Sequence, residues 1–100
     1  MEDKAAIVTG GGQGIGQGIV HWLAEEGADV AVIDINGDNA RKVADEVKAL
    51  ALEIDLTDSK QITQAVQKTM DTFSKIDILV NNVGGLGKIM LARTKIGVYQ

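Results

Sequence analysis

Six of the nine residues from Gly10 to Gly18 are glycine. They stand between an apolar run, Ala5–Val8, and a segment with helical spacing in which Ile15, Ile19, Trp22 and Leu23 fall on one face. Glycine destabilises helices and strands because it loses the most backbone freedom on ordering. Six of them at one strand-to-helix junction therefore mark a place where the backbone turns tightly and something must approach it closely.

The rest of the chain repeats the same alternation. Gly27 stops the first helix, Val30–Ile33 reads as a second buried strand closed by Asp34, and Asn36-Gly37-Asp38 offers turn and capping chemistry. Ala40, Val43, Ala44 and Val47 form the next helical stripe. A third strand is predicted at Leu50–Ile54, and Asp58 is a candidate cap for a third helix. That helix carries Ile62, Val66, Met70 and Phe73 on its face, with Ala65 and Thr69 beside them. Ile76–Val80 is a fourth strand, closed by Asn81-Asn82.

Apolar strands alternating with amphipathic helices predict an α/β fold of the Rossmann type, a parallel sheet in a three-layer αβα arrangement. Right-handed crossovers limit the topology, and the expected strand order is 3-2-1-4. The core must be aliphatic, since Trp22, Phe73 and Tyr99 are the only aromatics. In such sheets ligands bind at the carboxyl ends of the strands beside the switch point. Those ends are Thr9-Gly10, Asp34, Asp55 and Asn81-Asn82.

The glycine turn is not a P-loop. Gly11 and Gly16 have the required spacing, but Gln17-Gly18 follow where a lysine and a hydroxyl belong. The literal G-x-G-x-x-G is absent too. What remains is Thr9-Gly10-x-x-x-Gly14-x-Gly16. A helix N-terminus presents free N–H groups and a positive dipole end, which suit a phosphate. Glycine lets the pyrophosphate reach the backbone and permits φ > 0. Asp34 follows Gly14 by twenty residues, where a carboxylate can accept from an adenosine ribose diol and repel a 2′-phosphate. No Arg or Lys stands in the turn or immediately after Asp34. Both facts favour NAD over NADP. The pattern gives a dinucleotide-binding domain over 1–85 and a basic tail over 86–100 whose structure the sequence leaves open.

Charge and composition exclude other classes. The formal net charge is −4, which disfavours nucleic acid and anionic membrane as partners. The tail 84–100 holds Lys88, Arg93 and Lys95 with no acid, and is read as solvated. There is no cysteine, so neither a thiol nucleophile nor a Cys-based metal site is available. His21, the single histidine, has no clustered partners, and no metal site is expected. No apolar stretch reaches the ~18 residues of a membrane span. The acidic start "MEDKAA" lacks the features of a signal peptide. A cytoplasmic location is the expectation.

Three segments resemble the short-chain dehydrogenase/reductase family. "TGGGQGIG" is similar to its T-G-x-x-x-G-x-G cofactor motif, "EIDLTD" to its acidic ending of strand three, and "DILVNNVG" to its N-N-A-G segment, with Val83 in place of alanine. The likeness covers about residues 4–85. It implies that the cofactor meets Thr9, Gly10, Gly12, Gln13, Gly14, Ile15 and Gly16 in the turn, and Asp34 and Ile35 after strand two. Asp55 is implied to meet the adenine amine and Leu56 the ring. Asn82, Val83 and Gly84 are implied to border the nicotinamide ribose, and Asn81 belongs to the same segment.

The family's chemistry uses a Ser, a Tyr and a Lys, the last two as Y-x-x-x-K, with a supporting Asn. Tyr99 is penultimate and lacks that lysine, while Ser59 and Ser74 precede the fourth strand. Lys95 and Tyr99 have the spacing reversed, and "TKIGVYQ" matches the family's Asn-bearing helix only with Thr94 for Asn. No catalytic residue is assigned. The expectation is an NAD-dependent oxidoreductase for an alcohol/carbonyl pair, truncated to its cofactor-binding portion. Alone, it should bind NAD(H) weakly or not at all and show no turnover. A small-molecule substrate requires a further C-terminal portion. The alternative is a non-catalytic dinucleotide-binding module. A methyltransferase-like domain is disfavoured because that class carries an acid where Val8-Thr9 stand. The fourth strand would be a sheet edge, inviting homo-oligomer formation unless Ile89–Ala92 or Ile96–Tyr99 covers it.

Overall fold

A computed structural model describes residues 2–83 and 88–93 of the chain. The elements follow in the order β1 (Ala5–Thr9), α1 (Gly14–Glu25), β2 (Asp29–Asp34), α2 (Gly37–Val47), β3 (Leu50–Glu53), α3 (Ser59–Phe73), β4 (Ile78–Val83) and β5 (Lys88–Arg93). The sheet order is β3-β2-β1-β4-β5. The first four strands pair in parallel in the order 3-2-1-4 that the alternation predicts. β5, in the stretch the sequence left open, pairs antiparallel with β4 from Ile78↔Arg93 to Val83↔Lys88.

β1 is buried along its whole length because helices lie on both faces. Ala6, Val8, Val30, Val32 and Val80 face α1 and α2, where Val20, Leu23, Ala40 and Val43 meet them. Ile7, Ala31, Ile33, Leu52 and Ile76 face α3, which contributes Ala65, Val66, Met70 and Phe73. Each fully buried Val, Leu or Ile side chain contributes about 1.5–3 kcal/mol. These two aliphatic layers hold the strand ends in place.

Helix ends follow their local chemistry. Asn36 caps α2 by accepting from Asn39 N at 3.0 Å, and Asp58 caps α3 by accepting from Lys60 N at 2.9 Å. Gly27 leaves α1 at φ +90°. Lys48 and Ser74 end α2 and α3 in the left-handed region, at φ +60° and +68°.

Three expectations are corrected. Ile62 does not join Val66, Met70 and Phe73 on the core face of α3; it is 38% exposed. Ile15 and Trp22 do not join the core face of α1; they are 56% and 51% exposed. Gly16, Val20 and Leu23 are buried instead. In its first turn Gly16, rather than Ile15, faces inward, against Gly10 and Asn82. The fourth strand begins at Ile78, and Asn81-Asn82 extend it rather than closing it, because Asn81 pairs with Thr9 and Asn82 with Ile89.

Candidate functional site

The site is built where β1, β2, β3 and β4 end. β1 stops at Thr9, whose hydroxyl is buried and shared with β4. It accepts from Asn82 N at 3.0 Å and donates to Asn81 Oδ1 at 3.0 Å. Asn82 Nδ2 reaches the Gly10 carbonyl at 3.4 Å. Gly10 turns the chain at φ +63° and Gly14 at φ +58°, both conformations that side-chain-bearing residues rarely adopt. A Cβ at Gly14 would meet nothing within 4 Å, so the space above it is open.

The first N–H groups of α1 have no intrahelical partner. Asn36 and Asp58 fill that role at α2 and α3. At α1 the cap residue Gln13 makes no side-chain hydrogen bond, and no acid occupies the first turn. Donors and a positive dipole end therefore open on the space above Gly14.

That space is a cleft of about 680 Å³. Gly10, Gln13, Gly14 and Ile15 form one wall, Asp34 and Ile35 a second, and Asp55 and Leu56 a third, with Asn82 at the end. Ile35 is 70% exposed and Leu56 44%, so both present bare aliphatic surface beside the cleft. Asp34 is buried at 8% exposure; its Oδ2 accepts from Gly12 N and its Oδ1 from Asn36 N, each at 3.0 Å. Asp55 Oδ1 accepts from the Thr57 hydroxyl at 2.7 Å and from Thr57 N at 2.9 Å. Those two bonds hold its carboxyl below the ordinary aspartate value.

Nine of the fourteen residues singled out in the sequence line this one cleft. The others stand behind or beyond it. Thr9 ties β1 to β4, Gly12 faces Asp34 and the start of α2, and Gly16 packs on Gly10. Val83 is the last residue of β4, and Gly84 lies outside the described residues, as do Thr94, Lys95 and Tyr99. Ile54 and Thr57 also line the cleft and were missed. The signal for Thr57 was available: a hydroxyl two residues after an aspartate is the pattern of a side-chain turn. His21 lies apart, with Nε2 at 2.9 Å from Glu46 Oε1 across α1 and α2. Among the described residues no group of three His, Cys, Asp or Glu could hold a metal, and no helix is long and apolar enough to cross a membrane.

A family model described as "short chain dehydrogenase" matches residues 4–97. The 7alpha-hydroxysteroid dehydrogenase of Escherichia coli K12 is 40% identical over 92 residues, covering 87% of this chain and 36% of that protein. A solved structure of a 7alpha-hydroxysteroid dehydrogenase complexed with NADH and 7-oxo glycochenodeoxycholic acid superposes with a TM-score of 0.81 at 40% identity. That match covers 84% of this chain and 35% of the other. A 3-ketoacyl-(acyl-carrier-protein) reductase from Brucella melitensis, complexed with NADH, gives 0.77 at 36% identity over 78% of this chain and 33% of its own. The chain spans about a third of the length of the curated relatives it matches.

Proposed function

The chain belongs to the short-chain dehydrogenase/reductase family, and on that premise we propose that its cleft holds the adenosine diphosphate half of NAD(H). The chain would be the cofactor-binding portion of an oxidoreductase for an alcohol/carbonyl pair. The observation that carries this reading is the uncapped N-terminus of α1 opening over Gly14, with the Asp34 carboxylate on the adjoining strand end.

The residues fit the group. Backbone N–H groups at the start of α1 would hold the pyrophosphate, and Gly14 keeps the approach bare. Asp34 would accept from the ribose hydroxyls. Ile35 and Leu56 would cover the adenine faces, with Asp55 beside the exocyclic amine. When bound, the nicotinamide supplies hydride transfer. Arg41, the first basic residue after Asp34, has its guanidinium 2.6 Å from Asp38 Oδ1 and 3.9 Å from Glu53 Oε1. Two carboxylates thus share the cation that could otherwise attract a 2′-phosphate, which supports NAD over NADP.

These residues bind and orient; the Ser/Tyr/Lys set for proton transfer has no counterpart in the 100 residues. A second reading is a dinucleotide-binding module without turnover. Amide NMR of the whole chain, titrated with NADH into the millimolar range, tests the binding. Shifts are expected at Gln13–Gly16, Asp34–Ile35 and Asp55–Leu56, and not in a Gly14→Val variant. Shifts spread over the whole chain, or shifts that persist in the Gly14→Val variant, would remove the dinucleotide reading. Carbonyl reduction by the purified chain, lost on Asp34→Ala, would remove the reading without turnover.

A further inference from the structure

Gly12 does not line the cleft, yet the structure gives it a task there. Its N–H donates to Asp34 Oδ2 at 3.0 Å, across 22 residues of sequence. The bond to the other oxygen, from Asn36 N, is local and available to any aspartate that ends a strand. Only the Gly12 bond refers the carboxylate to the glycine turn, and so to the start of α1. The preceding N–H, of Gly11, donates to the Ile33 carbonyl at 3.2 Å. Two successive N–H groups of the turn are therefore directed at the end of β2 rather than at the cleft.

Unlike Gly10 and Gly14, Gly12 has no positive φ that requires glycine. The requirement is space. A Cβ there would stand 2.8 Å from Asp34 Oδ2, 2.8 Å from Asn39 Cβ and 3.0 Å from Ala40 N. A carboxylate oxygen has two acceptor positions. With one on each oxygen taken by backbone, one on each remains, matched to a pair of neighbouring hydroxyls. A phosphate at that place would meet the carboxylate charge with the backbone donors already engaged.

We propose that Gly12 is a positioning residue: its N–H and its missing side chain fix the Asp34 carboxylate, and through it the preference for an unesterified ribose diol over a 2′-phosphate. The proposal rests on the dinucleotide reading above. Gly12→Ala sets a Cβ against the carboxylate, Asn39 Cβ and Ala40 N, whereas the donors at the start of α1 belong to other residues.

The test is a double-substitution cycle in the full chain, with NADH and NADPH affinities read by amide NMR. Gly12→Ala is expected to weaken NADH about tenfold with NADPH nearly unchanged, so that the ratio between them falls. In an Asp34→Ala background it is expected to change the ratio no further. A merely structural role weakens both cofactors equally and overturns the proposal, as does a further change of ratio without Asp34. Binding that is spread over the chain, or that survives Gly14→Val, overturns the dinucleotide reading and the proposal with it. A cofactor-free readout covers a poorly folded variant. The Gly12 amide should be protected from hydrogen exchange in the unsubstituted chain and should lose that protection in Asp34→Ala. No difference between the two overturns the proposal.

Discussion

A Cβ on Gly16 would overlap the carbonyl oxygen of Gly10, with Asn82 Nδ2 only 2.9 Å away. α1 therefore rests on the turn that precedes it by direct backbone contact. Gly18, two residues on, would meet nothing within 4 Å. The two glycines predict opposite outcomes in one helix. Gly16→Ala should destabilise the chain by about 1–3 kcal/mol through overpacking. Gly18→Ala should stabilise it by about 0.5–1 kcal/mol by restricting the unfolded chain. Urea titration of both variants checks the pair. Equal effects of one sign would mean that α1 does not sit on Gly10.

Thr9 joins β1 to β4 through a single buried hydroxyl. Valine has the same shape but can neither accept from Asn82 N nor donate to Asn81 Oδ1. Thr9→Val is expected to cost about 1–3 kcal/mol, the penalty for a buried donor left unpaired. Exchange of the Asn82 amide should accelerate more than that of Val32 in the sheet interior. Uniform acceleration would assign the loss to the sheet as a whole.

How much of this was legible in the sequence depends on the distance over which each contact acts. Strand order followed from apolar runs and helical spacing, which are local patterns. Gly10, Gly14 and Asp34 were legible because their spacing reflects one turn and one strand-helix-strand unit. The facing of α1 was not. Periodicity ranks residues by hydrophobicity and gives glycine no weight, so it placed Ile15 and Trp22 inward. The helix instead pivots on Gly16, which leaves Ile15 beside the cleft. The bonds Thr9–Asn82 and Gly12–Asp34 join residues 73 and 22 apart, and no spacing encodes them.

Asp77 locks the other end of the same strands. Its Oδ2 accepts from Ala5 N at 2.9 Å, its N–H donates to the Ala5 carbonyl at 2.8 Å, and Lys75 Nζ lies 3.5 Å away. Burial pushes this carboxyl up, but the Ala5 bond and Lys75 outweigh it and hold the group below the ordinary aspartate value. The folded form thus binds the proton less readily than the unfolded one. Its stabilisation is complete above about pH 5 and is lost as pH falls past 4 toward the lowered folded value. Denaturation midpoints between pH 3 and 7 should fall on the acid side, and less steeply in Asp77→Asn. An unchanged acid slope in that variant would show that Asp77 does not drive it.

β5 occupies the edge of β4 that would otherwise be open. Unpaired strand edges recruit other chains. Deletion of residues 86–100 is expected to produce concentration-dependent self-association in sedimentation, with the full chain associating less. A clean monomer from the deletion variant at high concentration would show that β4 is not an adhesive edge.

The last prediction concerns the third wall of the cleft. Thr57 donates twice to Asp55 Oδ1, and those bonds stabilise the charged carboxylate. Thr57→Val keeps the backbone donor and removes the hydroxyl. The Asp55 carboxyl should then titrate at a higher pH, moving back toward the ordinary aspartate value of about 3.9. Carboxyl-carbon NMR across pH 2–6 reads this directly. The same substitution should loosen the side chain that the adenine reading places beside the exocyclic amine. NADH affinity should fall severalfold, while inorganic pyrophosphate, which has no adenine, should bind as before. An equal loss for both ligands would move the action of Thr57 from Asp55 to the glycine turn.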